Sequence, residues 1–259
     1  MFDKGSGLTV VVVQSLPGRW QWMRRFLEAL STQCRVVSYT LSGDHGTDGA
    51  PDPAQGFDAY VRQLEEVIDR AGIQRAALCG ISFGGTVAVR YAARHPDRVT
   101  HLVIASAPGP GWHATAQQEG YVAHPLMTLP SFLWMSIRRV HAEVAAALPR
   151  PGERLAFIVR GTADVLRYPA RPQIMAQRVR LMQTVDLADE ARHVSAPTLV
   201  VTGHPSLDRV VPVESTRQYL THIPNSRYEM MENTGHTGSL TQPERLARIV
   251  GTFVNAASS

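Results

Sequence analysis

The chain has 259 residues, 44% of them hydrophobic, which is enough for one large α/β domain with its own core and a modest insertion. Its formal charge of +4 rests on arginine, because Lys4 is the single lysine, and no basic run carries the interleaved aromatics of a nucleic-acid partner. Two cysteines, Cys34 and Cys79, argue against a disulfide framework and against a thiolate metal site.

No stretch approaches membrane-spanning length. The apolar run 8–13 behind Lys4 is shorter than a secretory h-region and lacks a small-residue cleavage site, so a soluble cytoplasmic protein without a membrane partner is expected.

Apolar, β-branched runs alternate with amphipathic stretches along the chain, the pattern of parallel strands buried on both faces and joined by crossover helices. The run 8–13 reads as the first buried strand, followed by a Pro17-Gly18 loop and an aromatic helix over 20–30. Residues 34–39 read as a strand ending in a Gly/Asp-rich loop over 42–53. A helix over 57–71 has Tyr60, Val61, Leu64, Val67 and Ile68 at helical spacing. Then come a strand over 75–80, a helix over 84–94 and a strand over 99–105. The alternation breaks after Ser106, and residues 108–194 read as a helical insertion. It resumes with a strand over 198–202, a helix over 213–222, a strand over 227–231 and a closing helix over 243–254. This gives a mostly parallel sheet of about six strands with helices on both faces. The core covers residues 1–107 and 195–259, and a helical cap over 108–194 enters after the fourth strand.

The chemistry centres on Gly80-Ile81-Ser82-Phe83-Gly84, which directly follows one apolar strand and directly precedes a helix. A sharp strand-to-helix turn lifts a serine hydroxyl out of the sheet, and it closes only if the residues two before and two after lack side chains. Gly85 leaves further room for close helix packing. A serine of ordinary acidity is a poor nucleophile and needs a base, which in turn needs an orienting acid. Asp208 lies in the loop after strand 198–202, and His236 lies in Asn233-Thr234-Gly235-His236 after the last strand. Both stand at carboxyl ends of strands, the edge where open parallel sheets bind ligands. Glu214 reads instead as a helix-start acid, Asp164 as a surface residue, and His95 and His222 as helix-end residues before proline. Donors for a developing oxyanion are expected from the backbone N–H of Phe83 and of Leu16, since Pro17 has none to give.

Gly80-Ile81-Ser82-Phe83-Gly84-Gly85, Arg94-His95-Pro96-Asp97-Arg98-Val99, Ala196-Pro197-Thr198-Leu199-Val200 and Gly235-His236 resemble landmarks of the α/β-hydrolase superfamily, in its cap-bearing esterase, lactonase and carbon–carbon hydrolase branch. The resemblance covers essentially the whole chain outside the cap. It implies hydrolysis through an acyl-enzyme without metal or cofactor, with attack by Ser82, proton transfer by His236 and orientation by Asp208. Serine at the elbow argues against epoxide hydrolase and haloalkane dehalogenase chemistry, whose relatives carry aspartate there. Two features depart from the family pattern. Gln14-Ser15 stands where members commonly carry His-Gly, and the short N-terminus is expected to remove the first two sheet strands.

The leading expectation is hydrolysis of a carboxylic ester or lactone in a small to medium, partly apolar substrate, with Trp112, Trp134 and Met135 of the cap as pocket wall. Carbon–carbon cleavage of a β-diketone by the same residues is the alternative, and Gln14-Ser15 motivates a third, a non-catalytic small-molecule binder. Ten arginines against six carboxylates over residues 138–192 suit an anionic substrate, or simply a solvated surface.

Overall fold

The computed structural model describes residues 1–47, 49 and 51–256; residues 48 and 50 of the loop over 42–53, and 257–259 of the core, lie outside it. Seven strands form one sheet: β1 (Phe2–Lys4), β2 (Thr9–Val13), β3 (Arg35–Ser38), β4 (Ala76–Ile81), β5 (Val99–Ala105), β6 (Thr198–Gly203) and β7 (Ser226–Met231), in the order β1-β3-β2-β4-β5-β6-β7. All pairings are parallel except that of β1 with β3.

The unbroken valine run of β2 follows from helices covering both faces of the sheet. Val11 and Val13 point to one side, into a core with α2 (Asp58–Arg70) and α3 (Phe83–Arg94) through Tyr60, Leu64 and Val87. Val10 and Val12 point to the other, where α1 (Arg24–Leu30) and the C-terminal helix over Pro243–Asn255 supply Phe26, Leu27 and Phe253.

The expected loss of both N-terminal strands is corrected by β1. Phe2 pairs with Ser38 and Lys4 with Val36, Phe2 is buried against Trp20, and Asp3 bridges Arg35 at 2.8 Å. Three residues are too few to show a period of two, so the edge strand left no pattern to read.

Between β5 and β6 the chain runs through α4 (Ala116–Ala123), α5 (Leu129–Ala147), α6 (Pro151–Arg167), α7 (Pro172–Met182) and α8 (Leu187–Arg192). Proline in the first turn starts α5, α6 and α7, where its missing N–H costs no helix bond. After β6 the expected single helix divides at Gln218 into α9 (Val213–Arg217) and α10 (Tyr219–His222). The division falls where Tyr219 turns fully inside and donates its hydroxyl to the Pro108 carbonyl at 2.7 Å. After β7 come α11 (Gly238–Thr241) and the closing helix α12 (Pro243–Asn255). Among the described residues no helix is long and apolar enough to cross a membrane.

Candidate active site

Ser82 sits between β4 and α3 with φ 52° and ψ −118°, a left-handed conformation that a side chain makes costly by about 1–3 kcal/mol. The surrounding structure enforces it. The Ser82 N–H donates to the Ala105 carbonyl at 2.8 Å, which ties the turn to β5. A Cβ on Gly80 would stand 2.5 Å from the Gly85 Cα, and one on Gly84 would overlap the Val13 carbonyl oxygen and lie 2.6 Å from that of Gln14. Phe83 anchors the helix start, fully buried and edge-on to Tyr60 and Phe57 at ring separations of 5.2 and 5.6 Å.

Asp208 and His236 arrive from the neighbouring strand ends, where the His204 N–H donates to the Thr234 carbonyl at 2.7 Å and holds the two loops together. His236 Nε2 lies 3.1 Å from Ser82 Oγ, and His236 Nδ1 lies 3.3 Å from Asp208 Oδ2. The other carboxylate oxygen of Asp208 accepts the N–H groups of Val210 and Val211, both at 3.0 Å. An ionised carboxylate only accepts, so Nδ1 carries the imidazole proton and the Nε2 lone pair faces the serine hydroxyl. The side chains of Asp208 and His236 are 1% and 13% exposed.

Burial alone pushes the Asp208 carboxyl up, yet the His236 charge and hydrogen bond and the two N–H donors leave it below the usual carboxylate range. Burial pushes His236 down, and Asp208, with a further contribution from Glu143, more than reverses this, so the imidazole holds its proton above the ordinary value. The two directions agree, since each group favours the charged form of the other.

The Phe83 N–H is the first of α3 and has no intrahelical acceptor. The loop over 14–18 lies against the elbow through the carbonyls of Val13 and Gln14, and the Leu16 carbonyl accepts from Arg178 Nη1 at 2.7 Å. Gln14 is fully buried, and its side-chain amide donates to Ser38 Oγ and towards the Val12 carbonyl. The Gln14 side chain is thus engaged at the β2–β3 seam.

The three aromatic and methionine residues expected around the serine are dispersed. Trp112 is half-buried against the core and lines an open cleft of about 510 Å³ with Arg139, Asp208, Arg209 and Gln218. Trp134 is 62% exposed on α5, Met135 is half-buried, and neither lines that cleft. Two charged residues escaped the sequence reading: Glu143 on α5 and Arg178 on α7, both fully buried. Neither belongs to a motif. Among the described residues no group of three or more His, Cys, Asp or Glu is placed to hold a metal ion.

Residues 9–243 match the family model described as the alpha/beta hydrolase fold. The chain is 26% identical to 2-hydroxymuconate semialdehyde hydrolase of Pseudomonas sp. (strain CF600), over 100% of this chain and 91% of that protein. It is 30% identical to an enzyme of the same name from Pseudomonas putida, over 80% of this chain and 73% of the other. Among solved structures, an esterase from Exiguobacterium antarcticum superposes with a TM-score of 0.79 at 21% identity, covering 98% and 94% of the two chains. The enol-lactonase from Burkholderia xenovorans LB400 superposes at 0.74 and 21%, covering 98% and 95%. At such identities the superpositions establish a shared fold.

Proposed function

The chain belongs to the alpha/beta hydrolase fold family, and on that footing we propose that it is a serine hydrolase that cleaves a carboxylic ester or lactone through Ser82, His236 and Asp208. The observation that carries this reading is the unbroken chain of contacts from Asp208 through His236 to Ser82, at 3.3 and 3.1 Å.

As Ser82 Oγ bonds to the substrate carbonyl carbon, its proton passes to His236 Nε2 and the carbonyl electron pair moves onto oxygen. Asp208 keeps the imidazole oriented and stabilises the cation that forms. The oxyanion is met by the N–H groups of Phe83 and Leu16, preorganised donors of the kind that contribute most to acyl transfer. When the bond to the alcohol breaks, Nε2 returns the proton to the leaving oxygen. Water then attacks the acyl-enzyme, giving its proton to Nε2, and the acyl bond to Oγ breaks as that oxygen regains a proton. The net reaction is ester plus water to acid plus alcohol.

Residues 108–194 act in this reading as a cap over a core of 1–107 and 195–259, enclosing a small-molecule substrate. Arg139 and Arg209 on the cleft beside Asp208 suit an anionic group on it. Two free, buried cysteines suit the reducing cytoplasm.

Turnover of p-nitrophenyl acetate and butyrate tests the proposal, with Ser82→Ala and His236→Ala beside wild type. Each substitution is expected to lower kcat by about 10³-fold or more, and wild-type activity in Ser82→Ala sinks it. The kinship to 2-hydroxymuconate semialdehyde hydrolases favours a second reading, carbon–carbon cleavage of a β-diketone by the same three residues. A higher kcat/KM on diketones than on esters selects that reading.

A further inference from the structure

Helix α5 spans nineteen residues, and the one it buries is a glutamate. Glu143 is 1% exposed, and its carboxylate meets the segment that carries His236. Oε1 accepts from the hydroxyls of Thr234 at 2.9 Å and Thr241 at 3.1 Å. The Thr237 N–H is shared between the two oxygens at 3.0 and 3.1 Å. A Cβ on Gly235 would stand 2.9 Å from Oε2, so the carboxylate lies directly over the backbone preceding His236. Among the described residues, no arginine, lysine or histidine forms a salt bridge with it.

A neutral group of the same shape would dock α5 at lower desolvation cost, because a buried charge is expensive unless something nearby uses it. The charged side chains that bear on His236 are Asp208 and Glu143. Asp208 accepts the hydrogen bond of Nδ1–H from one side, and Glu143 adds a second negative charge from the helical insertion.

We propose that Glu143 is a positioning residue for His236: from α5 it fixes residues 234–237 and sets a carboxylate against the backbone on either side of His236, so that the base is correctly held only when α5 is seated. The reading rests on His236 acting as the base. Glu143 favours the protonated imidazole, the form His236 takes as Ser82 attacks. Seating of the insertion and readiness of the base are then one event, and an enzyme with α5 displaced keeps its Ser82 elbow while losing rate.

Two variants of the full chain separate charge from reach. Glu143→Gln keeps the shape and removes the charge, and Glu143→Asp keeps the charge and shortens the reach. The His236 imidazole is titrated by NMR with isotope-labelled histidine, and the pH profile of kcat/KM is recorded on p-nitrophenyl butyrate. In Glu143→Gln the His236 midpoint and the acidic limb are expected to fall together, with kcat lower and KM within about twofold of wild type. A folded Glu143→Gln with midpoint and limb unmoved overturns the proposal. Glu143→Asp stands as a separate test if the glutamine variant does not fold. A kcat about tenfold lower with the His236 midpoint still raised supports the role, and wild-type kcat overturns it. Should the base reading itself be wrong, His236→Ala retains activity and takes the proposal with it. Failure of the proposal alone leaves a His236-dependent enzyme whose acidic limb ignores position 143.

Discussion

Arg178 Nη1 lies 2.7 Å from the carbonyl oxygen of Leu16, so a fully buried guanidinium on α7 grips the loop whose N–H is the second candidate oxyanion donor. The other end of the fork reaches the Ser42 carbonyl at 3.0 Å and the Asp44 carboxylate at 2.6 Å, and the Tyr60 ring lies 5.5 Å from the guanidinium carbon. Gly18, at φ +73°, makes room for the pair, since a Cβ there would overlap the Asp44 carboxylate. Arg178→Met leaves that carboxylate buried without its cation, and a loss of about 3–5 kcal/mol is expected in urea unfolding. Arg178→Lys keeps the charge and loses the fork, so it should fall between the two. In both variants kcat/KM on p-nitrophenyl butyrate should drop, because the 14–18 loop is no longer held. Wild-type stability in Arg178→Met would refute the clamp.

Gly84 at the elbow and Gly161 within α6 should respond to alanine with opposite signs. In Gly84→Ala the new methyl runs into the carbonyls of Val13 and Gln14, which are strand and loop backbone and cannot turn aside. A loss of about 3 kcal/mol is expected, with activity reduced further because the Phe83 N–H moves with the helix start. Gly161→Ala is the control. Nothing lies within 4 Å of its Cβ position inside α6, so alanine should be neutral or stabilise by up to about 1 kcal/mol. Thermal melts of the two variants decide the matter, and equal effects would mean that the elbow tolerates a methyl.

These residues also mark how far a single sequence could be read. The strands and the elbow were legible because their determinants are local: a valine run covered on both faces, and glycines two residues on either side of Ser82. Asp208 and His236 followed from their loops, each at the carboxyl end of a strand and so at the same edge of the sheet. Phe2–Lys4 was not legible, being too short for a period. Glu143 and Arg178 were not, because each is fixed by partners 91 or more residues away in the chain. Trp134 shows the limit of composition: an amphipathic pattern says that a helix has an apolar face without saying what covers it, and this tryptophan stands 62% exposed.

Neither cysteine is a rival nucleophile. Burial pushes the Cys34 thiol up to about 11 and drives the fully buried Cys79 higher still. The thiolate is the reactive form, so both should resist Ellman's reagent in native protein at pH 8 and react together once the chain unfolds in denaturant. Fast labelling of native Cys34 would contradict its burial. With both thiols resistant in the native protein, residual turnover in Ser82→Ala cannot be assigned to either.

The proton balance of Asp208 and His236 gives the last expectation. His236 binds its proton more tightly in the folded chain than its ordinary value near 6.5, so its contribution to stability is full below that pH and fades as pH rises through the raised midpoint. Asp208 is held below its ordinary 3.8, so its contribution is present above that value and is lost as pH falls through the lowered midpoint. The charged pair therefore stabilises most between the two, where the imidazole is protonated and cannot accept from Ser82. The proposed mechanism needs the neutral ring, so kcat/KM should climb through a midpoint above 6.5 and level off on the alkaline side. Asp208→Asn should cut kcat by about 10³- to 10⁴-fold, since an amide is free to donate to Nδ1 and select the wrong tautomer. The stability gap between wild type and Asp208→Asn, measured by urea midpoints, should be wider at pH 5.5 than at pH 9. A gap that is constant, or wider at pH 9, would show that His236 is not charged against Asp208 in the folded protein.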